Sequence, residues 1–154
     1  MSVAFRRESD EEHKEPKFEL PIPPGPNLVT ARGLALIEAR VKELDAQVAA
    51  GGEEAEIEAA KRDLRYWTTR QATAELMPEA EGDAVAFGTR VTYRLNGAKR
   101  TVAIVGDDEA DPHGGSISFS APLARAMMDA EVGERVDFGG KAAAIEILAI
   151  EPID

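Results

Sequence analysis

The sequence contains no cysteine, which excludes disulfide bonds and metal sites built on thiolates. Aromatic residues make up only 5% of the chain, so any core must be built mainly from aliphatic side chains. No apolar run approaches the roughly 20 residues that a membrane-spanning helix needs. The stretch from Met1 to Asp10 also lacks the apolar centre of a secretion signal. We therefore expect a protein that is neither secreted nor associated with a membrane.

Basic residues are scarce relative to acidic ones, with 18 lysines and arginines against 29 aspartates and glutamates. The resulting net charge is −11. Proteins that bind nucleic acid on their own usually carry a basic surface, because attraction to phosphates dominates such binding. We therefore expect no direct, sequence-specific binding to nucleic acid. A basic protein surface or a metal ion is a better match for this charge.

Residues 1–27 have the composition of an extended, proline-rich arm. Four prolines fall between Leu20 and Pro26, which favours a polyproline II conformation. The simplest interpretation is a flexible arm that is not needed for folding. The alternative is that the arm docks on the folded part through its apolar side chains, which are Phe5, Phe18, Leu20 and Ile22.

Residues 28–78 show the pattern of a helical hairpin. Thr30 is a suitable N-cap, and Gly51-Gly52 is a suitable reversal between two helices, the second running to about Met77. Pro78 then ends the second helix. Apolar residues recur at spacings of three and four, which indicates an antiparallel coiled-coil pair. The predicted seams are Leu34, Ile37, Val41, Leu44 and Val48 in the first helix, and Ile57, Ala60, Leu64, Trp67, Gln71 and Ala74 in the second.

After a polar linker at residues 79–84, the apolar period changes to two. This alternation predicts a β-sheet domain over residues 85–154, with a tight hairpin at Asn96-Gly97. Pro122 opens a short predicted helix that runs to Ala130. The predicted strands cover residues 85–87, 90–95, 101–105, 116–120, 135–138 and 143–150. One short helix on an antiparallel sheet makes this half an α+β module.

Two stretches of this second half carry a family resemblance. IVGDDEAD runs from Ile104 to Asp111, and ISFSAPLARA runs from Ile117 to Ala126. Both closely resemble motifs of the C-terminal domain of bacterial Gre-type transcription elongation factors, at that family's spacing. Shorter matches occur at residues 87–89 and 131–133. Together with the helical hairpin, the resemblance covers about residues 28–153.

The resemblance implies a fold and a function. The C-terminal domain is expected to be FKBP-like and to bind RNA polymerase at its secondary channel, with the hairpin directed into the channel. The protein would be a cytoplasmic monomer with no catalytic activity alone and no cofactor, apart from assistance to a Mg²⁺ held by the polymerase. The implied polymerase-binding residues are Asp107, Asp108, Glu109, Asp111, Ser120, Pro122 and Arg125, and the implied tip acids are Glu53, Glu54 and Glu56.

The hairpin departs from the family pattern in two respects. Glu53 takes the place of the family's tip glutamate, but the family's tip aspartate falls on Ala50. The first helix, from Thr30 to Ala50, spans only about 30 Å, which is several turns short of the usual Gre arm. We therefore expect little or no stimulation of transcript cleavage. In this respect the chain is similar to the regulator of nucleoside diphosphate kinase, a short-hairpin relative that binds polymerase.

Other interpretations of these residues stay open at this stage. The protein could be a full cleavage factor, an FKBP-like prolyl isomerase or chaperone, or a structural hairpin adaptor. An isomerase needs an aromatic-lined pocket, for which the second half offers Phe87, Tyr93, Phe119 and Phe138. The tip glutamates could simply compensate the helix dipole, and the acids at 107–111 could form a solvated loop.

Overall fold

The computed structural model describes residues 19–153, an α+β chain whose helices and strands form two parts. Residues 1–18, including Phe5 and Phe18 of the predicted arm, lie outside the described range. The first part comprises β1 (Asn27–Val29), α1 (Ala31–Ala50), α2 (Glu54–Thr73) and β2 (Ala74–Leu76). The second comprises β3 (Thr89–Leu95), β4 (Ala98–Val105), a 3₁₀ turn (Pro112–Gly114), β5 (Ser116–Ser118), α3 (Pro122–Met127), β6 (Arg135–Phe138) and β7 (Lys141–Pro152).

The first long helix begins and ends at the residues that the sequence indicates. The Thr30 hydroxyl accepts the Gly33 N–H at 2.9 Å, which caps the start of α1. Gly51 ends α1 with a φ of 79°, a conformation that glycine adopts without a Cβ penalty. On the predicted α1 seam, Ile37 and Leu44 are buried. The apolar periodicity therefore located the packed face of this helix correctly.

A short parallel pairing of β1 with β2 closes the base of the hairpin. Asn27 pairs with Ala74 and Val29 with Leu76, so the chain segments before α1 and after α2 meet. The two helices are therefore antiparallel, with residues 51–53 at the far end. The predicted extension of the second helix to Met77 is wrong. Ala74 already has an extended backbone, and its strand pairs with β1 rather than continuing the helix.

The second helix follows the predicted seam through Ala60, Leu64 and Trp67 and departs from it only near its C-terminal end. Gln71 is exposed, whereas Arg70 is buried at 1% exposure. Trp67 is half-buried, packs edge-on against Tyr66 and lies under the Arg40 guanidinium at 5.7 Å from the ring centre. The strict spacing of three and four predicted that position 71 would be packed. In the structure it is instead the side chain at position 70 that faces the second half of the chain.

The second part is a five-stranded sheet in the order β5-β4-β3-β7-β6. The turn at Asn96-Gly97 has positive φ at both residues, as the sequence predicts. The sheet is antiparallel except that β5 runs parallel to β4, which corrects the fully antiparallel prediction. The connection over residues 106–115 returns the chain only as far as Ala103 of β4, which Ser116 faces. The strand then ends at Ser118 rather than Ser120, because the Ala121 N–H bonds the Ser118 carbonyl in a turn.

The core of this domain lies between the sheet and α3. Ala124 and Met127 of α3 are fully buried, together with Val91, Ile104, Ile145 and Ile147 of the strands. The helix ends at Met127 rather than at the predicted Ala130, because Asp129 adopts a left-handed conformation. Residues 85–87, predicted as a strand, form a loop instead. Val85 bonds Asp129 and Ala130 through its backbone, each at 2.8 Å.

The described end of the arm lies along α2. The Glu19 carboxylate accepts two hydrogen bonds from the Arg65 guanidinium, at 2.6 and 2.7 Å, and both side chains are exposed. Leu20 and Ile22 line a cavity with Leu64 but stay 37% and 46% exposed. These contacts are open to water and salt, so we expect them to contribute little to stability.

Two deletions would separate the arm from the fold. We expect deletion of Met1–Pro26 to shift the thermal midpoint by only a few degrees, because the described contacts of the arm are exposed. Deletion through Val29 should lower the midpoint by about 10 °C or more, since it removes β1 and the buried Asn27. Circular dichroism melts of both chains make the comparison. If the shorter deletion costs as much as the longer one, the arm is part of the fold.

Candidate functional site

The acidic loop, residues 106–111, follows β4 and is pressed against the base of the hairpin. A Cβ built on Gly106 would lie 2.3 Å from the Leu28 carbonyl oxygen, so only glycine allows this approach. The Glu109 and Ala110 N–H groups both bond the Gly106 carbonyl, which turns the chain tightly. The close contact between Gly106 and β1 directs the carboxylates that follow towards α1 and α2.

Asp108 is bonded to the second helix of the hairpin. Its Oδ2 accepts from the Arg70 Nε at 2.6 Å, and its Oδ1 accepts from the Tyr66 hydroxyl at 2.5 Å. The side chains of Asp108 and Arg70 are only 7% and 2% exposed. Burial, followed by the hydrogen bond to Asp108, raises the pKa of the Tyr66 hydroxyl. Tyr66 therefore remains a proton donor to Asp108 throughout the neutral pH range.

Asn27 completes this arrangement from β1. Its Oδ1 accepts from the Arg70 guanidinium at 2.8 Å, and its Nδ2 donates to the Arg70 carbonyl, also at 2.8 Å. We call Asn27, Tyr66, Arg70 and Asp108 the base network. In this network the buried Arg70 guanidinium donates hydrogen bonds to Asp108 on one side and to Asn27 on the other. A buried charge is costly unless it is paired and hydrogen-bonded in this way. The base network joins β1, α2 and the acidic loop.

Glu109 makes a second connection, to the first helix. The Thr30 hydroxyl donates to Glu109 Oε1 at 2.6 Å while accepting the Gly33 N–H. One hydroxyl thus caps α1 and bonds the acidic loop. A Cβ on Gly33 would lie 2.8 Å from the same carboxylate oxygen, so the helix approaches the loop closely at this point.

Asp107 connects the loop to the start of α3. Its Oδ1 accepts from the hydroxyls of Ser118 at 2.5 Å and Ser120 at 3.2 Å. It also lies 3.7 Å from the Arg70 guanidinium, and its side chain is 16% exposed. Three of the predicted polymerase-binding acids therefore make internal bonds: Asp107, Asp108 and Glu109.

The other four residues of the predicted polymerase-binding set are exposed. They are Asp111, Ser120, Pro122 and Arg125. Pro122 occupies the first turn of α3, where its missing N–H has no helical partner to lose. None of these four side chains is buried in the core, so all four are accessible to a partner, although the Ser120 hydroxyl also bonds Asp107.

The predicted tip acids lie at the opposite end of the hairpin. Glu53, Glu54 and Glu56 are all exposed, beyond the reversal at Gly51-Gly52. The second helix starts at Glu54, with Glu53 as a cap residue that makes no side-chain capping bond. Nowhere in residues 19–153 do three or more histidine or acidic side chains converge as a metal site would require.

Sequence reasoning missed the members of the base network other than Asp108. Arg70 interrupts an otherwise apolar helix face, and a basic residue there is a signal for a buried acidic partner. That signal names no partner, because Arg70 and Asp108 are 38 positions apart. Asn27 and Tyr66 gave no comparable indication.

Comparison with known proteins finds relatives for the half of the chain that carries the acidic loop. Residues 79–152 match the family described as transcription elongation factor, GreA/GreB, C-terminal. The C-terminal half is therefore similar to the C-terminal domain of GreA/GreB factors. Transcription elongation factor GreA of Sinorhizobium medicae is 38% identical over 79 residues, which are 49% of this chain and 50% of that protein. GreA of Agrobacterium fabrum is 36% identical over 93 residues, 58% of each chain.

The chain spans about half the length of the curated relatives it matches. Among solved structures, it is similar to GreA factor homolog 1 of Thermus thermophilus, at 16% identity and a TM-score of 0.37, covering 82% of this chain and 99% of that one. It is also similar to the GreA/GreB factor of Nitrosomonas europaea, at 16% identity and a TM-score of 0.39, covering 82% and 98%. No helix within residues 19–153 is long and apolar enough to cross a membrane.

Proposed function

We propose that this protein is a Gre-type regulator of transcription elongation. In this proposal its C-terminal domain, with an FKBP-like fold, binds RNA polymerase at the secondary channel and directs the hairpin inwards. The observation that carries the proposal is the GreA/GreB-type domain at residues 79–152. The exposed residues Ser120, Pro122 and Arg125 supply the docking surface, and the protein acts on the polymerase without catalysis of its own.

The internal bonds of the acidic loop give that loop a positioning role. Asp108 and Glu109 are engaged with α2 and α1, so they are not the main docking groups in this proposal. They hold the hairpin against the domain that binds the polymerase. The docking surface and the hairpin tip then keep a fixed relation to each other.

The tip supports weak rather than strong stimulation of transcript cleavage. A carboxylate that assists Mg²⁺ must come within about 2.0–2.1 Å of the ion, or one water further. The 20 residues of α1 give a hairpin of about 30 Å, and a glutamate extends only a few ångströms beyond it. Ala50 replaces the family's aspartate, so the tip also offers one carboxylate fewer. The protein would occupy the channel and compete with longer Gre factors.

A cleavage assay tests the tip. With a stalled, backtracked elongation complex and labelled RNA, we expect little shortening of the transcript above the polymerase's own rate. Addition of this protein should also slow cleavage by a full-length GreA, because both occupy the same channel. If the protein alone cleaves as fast as GreA and Glu53→Gln abolishes the effect, the length argument is wrong and Glu53 is the working acid.

A binding assay tests the docking surface. Arg125→Glu should weaken binding to purified RNA polymerase about tenfold, because it reverses an exposed charge at the proposed interface. Arg100→Glu is the matched control, since Arg100 is exposed on β4 near the end of the sheet opposite the acidic loop. Equal affinity for both variants would remove Arg125 from the interface. Absence of any binding by the unmodified chain would contradict the proposed function itself.

The prolyl isomerase alternative receives no support from the cavity beside the acidic loop. That cavity holds about 320 Å³ at the base of the hairpin and is lined by Met77, Pro78 and Phe87 among others. Phe87 is its one aromatic side chain. An isomerase pocket encloses proline between several aromatic rings, so this cavity is a poor match for that activity.

A further inference from the structure

The end of the sheet opposite the acidic loop carries most of the basic side chains of the second half. The strand β4 runs from Ala98, beside the Asn96-Gly97 turn, to Val105, beside the acidic loop. Its eight residues separate the two ends by about 24 Å. A partner at the turn end would therefore not meet a partner docked at the loop end.

Four cations cluster at the turn end. Arg94 of β3 lies directly opposite Lys99 of β4 on one side and opposite Glu146 of β7 on the other. Glu146 in turn lies opposite Arg135 of β6. Directly opposed residues share one face of a sheet, so these side chains form one row. Arg94, Arg135 and Glu146 also line a cavity of about 300 Å³ together with Lys141. We call Arg94, Lys99, Arg135 and Lys141 the distal basic face.

The positive charge of this face is only partly neutralised. Glu146 accepts from Arg94 at 3.0 Å and lies 3.7 Å from Arg135. Lys99 and Lys141 make no ion pair with any of the residues from 19 to 153. The Asp137 carboxylate on β6 accepts the Ala143 N–H at 2.8 Å. The cavity lining holds three cations and one carboxylate, so this face has an excess of positive charge on a chain whose net charge is −11.

We propose that the distal basic face binds an acidic segment of a protein partner, one rich in aspartate and glutamate. The guanidinium groups of Arg94 and Arg135 are 47% and 61% exposed, and arginine matches carboxylates with paired hydrogen bonds. The cavity between them is open to water and wide enough to receive carboxylate side chains.

The cavity lining favours protein over nucleic acid as the partner. It contains no aromatic side chain, so unpaired bases find no surface on which to stack. The proposal does not depend on the proposed function, because the face lies at the opposite end of β4 from the acidic loop.

Binding of a fluorescent peptide of alternating aspartate and glutamate to the full chain tests the proposal. We expect saturable binding that weakens with added salt, while a peptide of asparagine and glutamine does not bind. The double variant Lys99→Glu with Lys141→Glu should lower the peptide affinity about tenfold or more. Neither lysine forms an ion pair with residues 19–153, so the fold should tolerate the change.

The matched control is Arg32→Glu with Lys42→Glu, two exposed residues of α1 that change the net charge by the same amount. This control should keep most of the peptide affinity. An equal loss in both double variants would show that only net charge matters and would overturn the proposal. So would tighter binding of a single-stranded oligonucleotide through the same lysines, or no peptide binding at low salt.

Discussion

Replacing Arg70 with methionine is expected to lower the free energy of unfolding by about 3–5 kcal/mol. The substitution leaves the Asp108 carboxylate, only 7% exposed, without its charged partner. It also removes the donor to Asn27. Removing one member of a buried ion pair is costly because the remaining charge is neither paired nor fully hydrated. Urea unfolding followed by circular dichroism measures the loss.

Two comparison variants make this result specific to the base network. Arg65→Met changes an arginine on the same helix whose ion pair with Glu19 is exposed, and we expect no measurable loss of stability. Adding Asp108→Leu to Arg70→Met should recover part of the stability, since the unpaired charge is then gone. If Arg70→Met and Arg65→Met behave alike, the base network does not stabilise the hairpin against the domain.

Gly106→Ala is expected to destabilise the protein by about 3 kcal/mol, at the upper end of what an added methyl group costs in a packed site. The new Cβ would lie 2.3 Å from the Leu28 carbonyl oxygen. The carbonyl belongs to the backbone, and the position of a Cβ is fixed by its own backbone, so no side-chain rotation relieves the clash. The acidic loop and β1 must move apart, which also lengthens the bonds of the base network.

Gly114→Ala is the matched control for this substitution. Its Cβ would lie 2.7 Å from the Asp111 Oδ2, but that atom ends an exposed side chain that can rotate away. We expect a small effect on the thermal midpoint for Gly114→Ala and a fall of about 10 °C for Gly106→Ala. Equal midpoints would mean that β1 yields without cost and that the close approach is not needed.

The sequence was sufficient for features that depend on neighbouring residues. Thr30, Gly51 and the Asn96-Gly97 turn each act within a few positions, through a hydroxyl or a permissive backbone. The spacing of Ile37 and Leu44 likewise identified the buried face of α1. Motif letters at 104–111 and 117–126 placed the acidic loop between two strands, where the structure has it.

Features that depend on distant residues were not predictable in this way. The end of α2 at Thr73 follows from pairing with β1, which lies 47 positions earlier in the chain. The burial of Arg70 depends on Asp108, which lies 38 positions away, so the local pattern around Arg70 cannot identify its partner. The candidate site shows the same limit. Its residue types were identified, but which carboxylates turn inwards was decided by the approach of the hairpin.

The contacts at the foot of the hairpin control the accuracy of its far end. A hairpin of about 30 Å acts as a lever, and a tilt of about 10° at its foot moves the tip by about 5 Å. That displacement approaches one helical turn and exceeds the tolerance of a carboxylate aimed at a metal ion. The position of the tip carboxylates therefore depends on Asp108 and Glu109 as much as on the glutamates beyond Gly52. Substitutions at the foot should therefore make the position of the tip less well defined, although they change no residue of the tip itself.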